Sequence, residues 1–444
     1  HTRFRNVTGV QTCALPISSL KPGEWVYVLG GFTPDQFTDG KQDFTKAELD
    51  AVAPNNPVQL QFTRCCTYVN SKTIEALKLD TRNEPWIQRD GGGKPTGYIL
   101  VEGADVISRE RPAAPKELYE PGNMALMRDM NRAGLTSFGV VGCTEDVLRI
   151  FRQWRDLGRL NARAFCIDDA AAGRPEDVPR SIEQIGRMKL FRGDDYIDSV
   201  FFGESVYQPL HDPMFAVKSA PTADQLDAWR RVANAVAEAG LPLHVHANLT
   251  PTIDAFLDQV DAINKVHPVR NLRWTLAHVN QVTPPQLERM KALGLYAAVH
   301  PWGVINGAIM QKLFGRAAED LSPFAAIQAS GIPWGFGSDG SAANQYLPFT
   351  ALHFAVTGKL GGRQVIRQTI SREDALIAYT RKNAYFVFRE NALGAIQPGK
   401  LADLVVLDRD YLTVPADQIK DIKPVLTMVG GRIVYNADAA AALR

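Results

Sequence analysis

Short apolar runs alternate with amphipathic segments from residue 136 onward, and this alternation constrains the fold more than any other feature of the sequence. The apolar runs have the length of strands, and the segments between them carry apolar residues at helical spacing. Strands are predicted at residues 136–141, 162–168, 198–204, 242–247, 273–279, 296–301 and 334–340. Strands that alternate with helices form parallel sheets, which predicts an α/β fold.

The number of strands points to a (β/α)8 barrel of the TIM type. Seven strands are visible, whereas a closed barrel has eight. We expect the first strand to precede Lys21, so that it is missing from the recognisable part of the sequence.

Helix boundaries support the same reading. Helices are predicted at residues 144–158, 181–190, 222–240, 251–266 and 283–294. The segment at 222–240 has the clearest signals, with Thr222 as N-cap and Gly240 as its stop. Thr144 and Gly158 play the same two roles in the first of these helices.

Two regions interrupt the alternation. Residues 43–123 contain turn-rich pieces such as RDGGGKPTG and are predicted to form an inserted subdomain within a barrel unit spanning residues 19–395. Residues 396–444 contain two apolar runs separated by Gly430-Gly431, a pair typical of a β-hairpin. We therefore predict that this C-terminal part belongs to a small β-sandwich.

The first residues, HTRFRNVTGVQTCALPIS, fit neither pattern. They lack an initiating Met, a signal-peptide pattern and a helical period. The stretch VTGVQTCALPI is similar to translated sequencing-adapter read-through, so residues 1–18 are expected to be foreign, with the natural N-terminus lost. The alternative is a natural disordered tail.

Composition excludes several classes of function. Lys plus Arg total 49 and Asp plus Glu total 48, and without a basic block nucleic-acid binding is not expected. There is no apolar run of 18 residues or more, so no membrane span is expected. The five cysteines form no CxxC pair and their number is odd, which argues against a disulfide framework and favours a reducing, cytoplasmic compartment. A small-molecule substrate is expected, and the chain could form a homodimer.

Polar side chains stand at or near the carboxyl ends of the predicted strands, where parallel barrels place their active sites. From the fourth strand to the eighth, these residues are Glu204, His246, His278, His300 and Asp339. Imidazole and carboxylate are the ligands that zinc and similar divalent ions prefer. The sequence therefore predicts a metal site at this edge.

The chemistry of such a site assigns roles to these residues. A divalent ion lowers the pKa of a bound water to about 7, and a carboxylate can carry the proton of that water to a leaving nitrogen. Asp339 is the predicted proton carrier and a candidate ligand, although the turn sequence around it also suits a simple capping role. His246 and His278 are the predicted metal ligands, and His278 is also a candidate catalytic group. Glu204 is predicted to bind either metal or substrate.

Other residues are candidates for the surroundings of the metal. His300, Trp302, Tyr207 and His211 are predicted substrate contacts, with a pocket wall or a plain loop position as the alternative for the last three. His244 shares a strand face with His246, because side chains alternate with period two. It would lie deeper, as a neighbour that supports the ligand.

Four segments resemble the amidohydrolase superfamily, and most closely its amidohydrolase 3 branch, which includes N-substituted formamide deformylases. They are HVHA, LAHVNQVTPPQLERMKALGLYAAVHP, GFGSDG and NALGAIQPGKLADLVVLDRD, and the resemblance covers about residues 19–436. It implies a (β/α)8 barrel, a β-sandwich built from both chain ends, and one or two metal ions, most commonly zinc. The fifth-strand histidine, sixth-strand histidine and eighth-strand aspartate of the family match His246, His278 and Asp339.

Two departures from the family pattern matter. The first-strand His-x-His pair has no counterpart here, and the fourth strand lacks the lysine that bridges two metals in many members. Glu204 could supply the missing carboxylate.

Three functions were compared. The favoured one is metal-dependent hydrolysis of an amide, formamide or cyclic amide C–N bond through metal-activated water. The alternative is a catalytically crippled barrel that binds small molecules, because the His-x-His pair is missing. A phosphate-binding barrel isomerase is weaker, since GSDGSAANQ places a carboxylate where a glycine-rich phosphate loop would stand.

Overall fold

The structure is a computed structural model that describes residues 20–28, 30–37, 43–63, 66–168, 170–213, 220–340 and 343–438. The segment expected to be foreign, residues 1–18, and the expected position of a first barrel strand lie outside these ranges.

A seven-stranded parallel sheet forms the centre of the molecule, and it confirms the predicted α/β fold. Its strands are β6 (Ser137–Cys143), β7 (Arg163–Asp168), β8 (Ile197–Glu204), β9 (Leu243–Ala247), β10 (Thr275–His278), β11 (Tyr296–Val299) and β12 (Trp334–Phe336). They lie side by side in chain order, each parallel to its neighbours. Within the described ranges β6 and β12 are the two edges of this sheet, so the barrel strands that the sequence predicted are all present as neighbours.

The helices that follow these strands begin and end close to the predicted residues. The α-helices are α1 (Lys46–Val52), α2 (Ser71–Ala76), α3 (Val101–Glu110), α4 (Tyr119–Arg132), α5 (Glu145–Asp156), α6 (Val178–Arg187), α7 (Ala223–Glu238), α8 (Thr250–Asn264), α9 (Pro284–Leu293), α10 (Trp302–Ile305), α11 (Gly307–Phe314), α12 (Phe324–Ser330), α13 (Pro348–Thr357), α14 (Arg372–Ile377) and α15 (Asn383–Phe386). Thr222 caps α7, accepting a hydrogen bond from the backbone N–H of Gln225 at 3.3 Å while the Gln225 side chain accepts from the Thr222 N–H. Among the described helices, none has the length and apolarity needed to cross a membrane.

An N-terminal sheet of five strands stands apart from the central one. It contains β1 (Val26–Val28), β2 (Val58–Phe62), β3 (Cys66–Val69), β4 (Ile87–Arg89) and β5 (Pro95–Ile99), in the order β1-β2-β3-β5-β4. This sheet starts at residue 26, earlier in the chain than the turn-rich region that indicated it. The Thr33 hydroxyl donates to the carbonyl of Ile305 at 3.0 Å, and Thr63 bonds to Asn306 at 3.2 Å. These contacts dock the N-terminal sheet on the segment that follows β11.

The C-terminal region forms a three-stranded antiparallel sheet of β15 (Leu404–Leu407), β16 (Pro424–Val429) and β17 (Arg432–Asn436). A two-stranded ribbon, β13 (Lys359–Leu360) and β14 (Arg363–Gln364), precedes it. Gly430 and Gly431 have φ values of 56° and 82°, a conformation that favours glycine, and they join β16 to β17 as a hairpin. The predicted hairpin is confirmed.

The largest hydrophobic core lies between the central sheet and its helices. Trp229 of α7 stacks on Phe256 of α8 with ring centroids 4.5 Å apart, and both rings are fully buried. Burying a large aromatic or aliphatic side chain of this kind stabilises the fold by about 1.5–3 kcal/mol. The apolar stripes that predicted these helices are therefore the faces that hold them on the sheet.

One expectation from the cysteine count is wrong. The structure joins Cys143 at the end of β6 to Cys166 of β7 by a disulfide between neighbouring strands. An odd total does not prevent two cysteines from pairing, and sequence spacing alone did not show that the Cα atoms of Cys143 and Cys166 lie 5.5 Å apart on neighbouring strands.

A buried ion pair connects the central sheet to the C-terminal sheet. The Arg163 guanidinium, fully buried, donates to both carboxylate oxygens of Asp403 at 2.7 and 2.8 Å. It also donates to the carbonyl of Asp195 at 2.6 Å, and Asp403 accepts from the N–H of Gly430 at 2.8 Å. Each nitrogen of the Arg163 guanidinium thus donates a hydrogen bond. A buried ion pair is tolerated when its hydrogen-bonding groups are satisfied in this way.

Replacing Asp403 by alanine is expected to lower the free energy of unfolding by about 3–5 kcal/mol, because the Arg163 charge would stay buried without its partner. Urea unfolding followed by circular dichroism measures this change. The double variant Arg163→Met, Asp403→Leu is expected to recover most of the loss. The exposed pair Arg289–Asp258 is the control, and Asp258→Ala is expected to cost less than about 1 kcal/mol. Equal losses at the two sites would contradict the role of the buried pair.

Candidate active site

The structure brings all five predicted strand-end residues together at one edge of the central sheet. A single oxygen of Glu204, Oε1, lies 3.2 Å from Nδ1 of His246 and 2.8 Å from Nε2 of His278. The other nitrogen of His278, Nδ1, lies 2.8 Å from Nε2 of His300 and 4.0 Å from a carboxylate oxygen of Asp339. His278 therefore stands between the other four.

The parallel register explains this convergence. β9 and β10 pair with Ala277 opposite His246, and β8 pairs with β9 with Glu204 opposite Val245, so the strands end at similar heights. The close approach of β8 and β9 requires glycine at position 203, because a Cβ there would meet the carbonyl oxygen of His244 at 1.7 Å. Glycine at position 203 therefore allows β8 to lie against β9 in the register that brings Glu204 beside the histidines.

Two site residues have a backbone conformation that is unusual for side chains with a Cβ. The φ value is 72° at His278 and 54° at Asp339. Left-handed conformations of this kind concentrate at functional sites, where the surrounding structure holds them. His278 is the last residue of β10, and Asp339 lies three residues after the end of β12.

Charge in the site is balanced by hydrogen bonds. Burial alone would raise the pKa of the Glu204 carboxyl, but hydrogen bonds from His246 and His278 hold that pKa well below its usual range. Burial lowers the pKa of His246, and the carboxylates of Asp212 and Glu204 more than reverse this, raising the pKa to about 9. In the metal-free protein at neutral pH, His246 is therefore protonated, and a metal ion would displace that proton.

Asp212 is a site residue that the sequence reasoning missed. Its carboxylate lies 2.9 Å from Nε2 of His246, and its backbone carbonyl accepts from the same nitrogen at 2.8 Å. Burial alone would raise the pKa of Asp212, but hydrogen bonds from His246 and from backbone N–H groups lower it. The only sequence signal was its position beside His211, within the loop that follows a predicted barrel strand.

Two further histidines contact the cluster. His211 is an exposed residue whose ring stacks on His246 with centroids 3.7 Å apart, and its Nδ1 lies 3.2 Å from the hydroxyl of Ser205. His300 is buried, and burial lowers its pKa well below the usual value, so the ring is neutral. Its Nδ1 has no hydrogen-bond partner within the described part of the chain.

The remaining predicted residues lie in packed surroundings. His244 is buried below His246, with Phe201 and Phe386 about it at centroid distances of 5.9 and 6.0 Å, and burial lowers its pKa to about 4. Tyr207 is 4% exposed and lies in the main hydrophobic core, and Trp302 packs in a smaller apolar cluster with Met310.

The donor set fits a divalent metal ion. Two groups of side chains have donor atoms within 4.8 Å of one another, namely Glu204, His246 and His278, and His278, His300 and Asp339. Imidazole nitrogens and carboxylate oxygens are ligands that suit zinc and related ions. The convergence of two imidazole nitrogens on one carboxylate oxygen is an arrangement that a cation would stabilise.

Comparison with known proteins identifies the family of this chain: the model of the amidohydrolase family matches residues 3–435. The chain belongs to this family, which confirms the predicted resemblance. It is therefore a hydrolase of the amidohydrolase family.

Similar proteins have related descriptions. The N-substituted formamide deformylase of Arthrobacter pascens is 25% identical over 451 residues, covering 94% of this chain and 80% of the relative. A putative amidohydrolase of Bacillus subtilis is 24% identical with the same coverage of both chains, 94% and 80%. A solved structure of an uncharacterized metal-dependent hydrolase from Pyrococcus horikoshii superposes with a TM-score of 0.61 at 21% identity, over 90% of this chain and 80% of that one. The last comparison supports the fold.

The pH dependence of stability is expected to report the protonated state of His246 in metal-free protein. Its pKa is about 9 in the folded state and about 6.5 in an unfolded chain, so its stabilising contribution is complete below about pH 6.5 and disappears as the pH rises through 9. The contribution is at most about 3 kcal/mol. Chemical unfolding of chelator-treated wild type and His246→Gln at several pH values should show a stability difference that shrinks between pH 6.5 and 9.

The matched control is His353, a buried histidine on α13 whose pKa burial lowers to about 4. Protonation below about pH 6.5 favours the unfolded state at this position, so wild type should lose stability relative to His353→Gln as the pH falls from 6.5 toward 4. Parallel pH profiles for the two variants would contradict these charge assignments.

Proposed function

We propose that this amidohydrolase is a metal-dependent enzyme that hydrolyses a non-peptide C–N bond of a small molecule: an amide, a formamide or a cyclic amide. The observation that carries the proposal is the convergence of Glu204, His246, His278, His300 and Asp339 at one edge of the parallel sheet. The name of the Arthrobacter relative, a formamide deformylase, supports the formamide as the first substrate class to test. A cytoplasmic location and a homodimer remain predictions from the sequence.

The residues that would hold the ion are Glu204, His246 and His278, through the oxygen and the two nitrogens that already face one another. Zinc is the ion we propose for this position. When bound, a divalent ion activates water and polarises a carbonyl oxygen. Proton transfer and hydrogen bonding to the substrate are the tasks proposed for the side chains of the protein itself.

Asp339 is proposed to carry the proton. Its side chain is 36% exposed, so it can reach both water and substrate at the mouth of the site. It would accept a proton as the water oxygen bonds to the carbonyl carbon, and deliver that proton to the nitrogen as the C–N bond breaks. The products are a carboxylic acid, formic acid in the case of a formamide, and an amine.

His300 is proposed to donate a hydrogen bond to the substrate carbonyl. If Nε2 of His278 is given to the metal, its Nδ1 carries the proton and donates to Nε2 of His300. A neutral His300 then bears its own proton on Nδ1, the nitrogen that has no partner in the described part of the chain. A buried donor without a partner is costly, and a substrate oxygen would satisfy it.

The substrate contacts predicted around the metal remain proposals of unequal support. His211 is the best placed, because it is exposed and stacks on His246. Trp302 and Tyr207 are buried in apolar clusters, which favours a role in the walls behind the pocket.

Two substitutions separate metal binding from proton transfer. Glu204→Gln is expected to remove most bound metal, since the amide lacks the charge that both imidazoles face. Asp339→Asn is expected to keep an ion at Glu204, His246 and His278 but to lower kcat by about 10²–10⁴-fold, the usual contribution of a general acid–base group. Elemental analysis of purified protein and turnover of N-substituted formamides, amides and cyclic amides measure both effects.

Wild-type protein without a stoichiometric divalent ion after growth and dialysis in zinc would refute the proposal. The control is Asp198→Asn, a carboxylate at the opposite end of β8 that pairs with Arg389 at 2.5 Å. Because this residue does not contact the histidines, the folded fraction of that variant should keep full metal content.

A further inference from the structure

Asp212 makes two sets of contacts that meet on one carboxylate. On one side it accepts hydrogen bonds from the backbone N–H groups of Asn248 and Leu249, at 3.1 and 2.8 Å, where β9 passes into α8. On the other side it lies 2.9 Å from Nε2 of His246. Asp212 is 5% exposed, so water does not compete strongly for these contacts.

The first set of contacts anchors a loop. The two backbone N–H groups lie at the N-terminus of α8, where unpaired donors and the helix dipole favour a carboxylate. The hydrogen bonds from these N–H groups hold residues 211–213, which follow β8, against the end of β9. This anchoring also fixes the Asp212 carbonyl, which accepts from His246 at 2.8 Å, and the stacked ring of His211.

The second set of contacts selects one nitrogen of His246. With Nε2–H held by the carboxylate and the carbonyl of Asp212, the ring presents Nδ1 toward Glu204 at 3.2 Å. If a metal ion took the place of the proton on Nδ1, the neutral ring would keep its hydrogen on Nε2. A carboxylate that holds the far nitrogen of a histidine fixes its tautomer and orientation and makes the ligating nitrogen more basic.

We infer that Asp212 is a positioning residue that fixes the tautomer and orientation of His246 and that couples the loop after β8 to the metal site. The inference rests on the proposed function, because it assumes a metal held by Glu204, His246 and His278. It goes further by naming a residue outside the ligand set that holds one of the ligands in place.

The test compares Asp212→Ala and Asp212→Asn with wild type in zinc affinity, measured by competition with a chelator. Loss of an outer partner of a ligating histidine usually weakens metal binding by about 10–100-fold. We expect Asp212→Ala to fall in this range. Asp212→Asn keeps one acceptor oxygen and should fold if the alanine variant does not, with an affinity loss of about 10-fold.

A spectroscopic measurement separates positioning from general damage. In zinc-loaded protein with isotope-labelled histidine, the Nε2 proton of wild-type His246 should be protected from exchange, and Nδ1 should have the chemical shift of a metal-bound nitrogen. Both Asp212 variants should lose that protection. Metal binding through Nε2 of His246 in wild type would overturn the inference.

Asp194 offers a matched control. Its carboxylate also accepts from two backbone N–H groups, those of Tyr196 and Ile197 at 2.7 and 2.9 Å, but at the opposite end of β8 from Glu204. Asp194→Asn should leave zinc affinity within about threefold of wild type. Equal losses in the Asp194 and Asp212 variants would overturn the inference while leaving the metal-dependent function standing, whereas a wild-type protein that binds no zinc would refute both.

Discussion

One carboxylate oxygen of Glu204 faces nitrogens of two different histidines, and the geometry of the whole site depends on this contact. It exists because β8, β9 and β10 are parallel and end at similar heights, so that their last side chains meet at one edge. Gly203 allows the two backbones to approach closely enough, since any Cβ at that position would collide with the carbonyl of His244. The parallel register of the strands and the absence of a side chain at Gly203 thus set the distance between the carboxylate and the imidazoles.

A charged cluster of this kind is stable in a buried site only because its members neutralise one another. His246 is held between two carboxylates, Glu204 and Asp212, and these contacts raise the pKa of the imidazole and lower the pKa values of both carboxyl groups. The groups that face one another here, carboxylate and imidazole, are also the donor types that suit a divalent cation. Preorganisation therefore comes from electrostatics and from the loop that Asp212 anchors.

The outer parts of the molecule hold this edge in place by different means. The C-terminal sheet is fastened to β7 by the buried pair Arg163–Asp403, whose donors and acceptors are satisfied. The N-terminal sheet is docked on the segment after β11 through polar contacts of Thr33 and Thr63. Because that segment begins at His300, the N-terminal sheet lies next to the chain that completes the site.

The sequence by itself determined the strand and helix order, the C-terminal hairpin and the identity of His246, His278 and Asp339 as strand-end residues, because periodicity, caps and turn signals are local properties of the chain. Only the tertiary structure decided that Asp212 holds His246, that Cys143 meets Cys166, and that Tyr207 is buried in the core. Each of these depends on register and loop path, which join residues distant in sequence. Local patterns carry no information about such contacts, so they emerge only when the strands have been placed side by side.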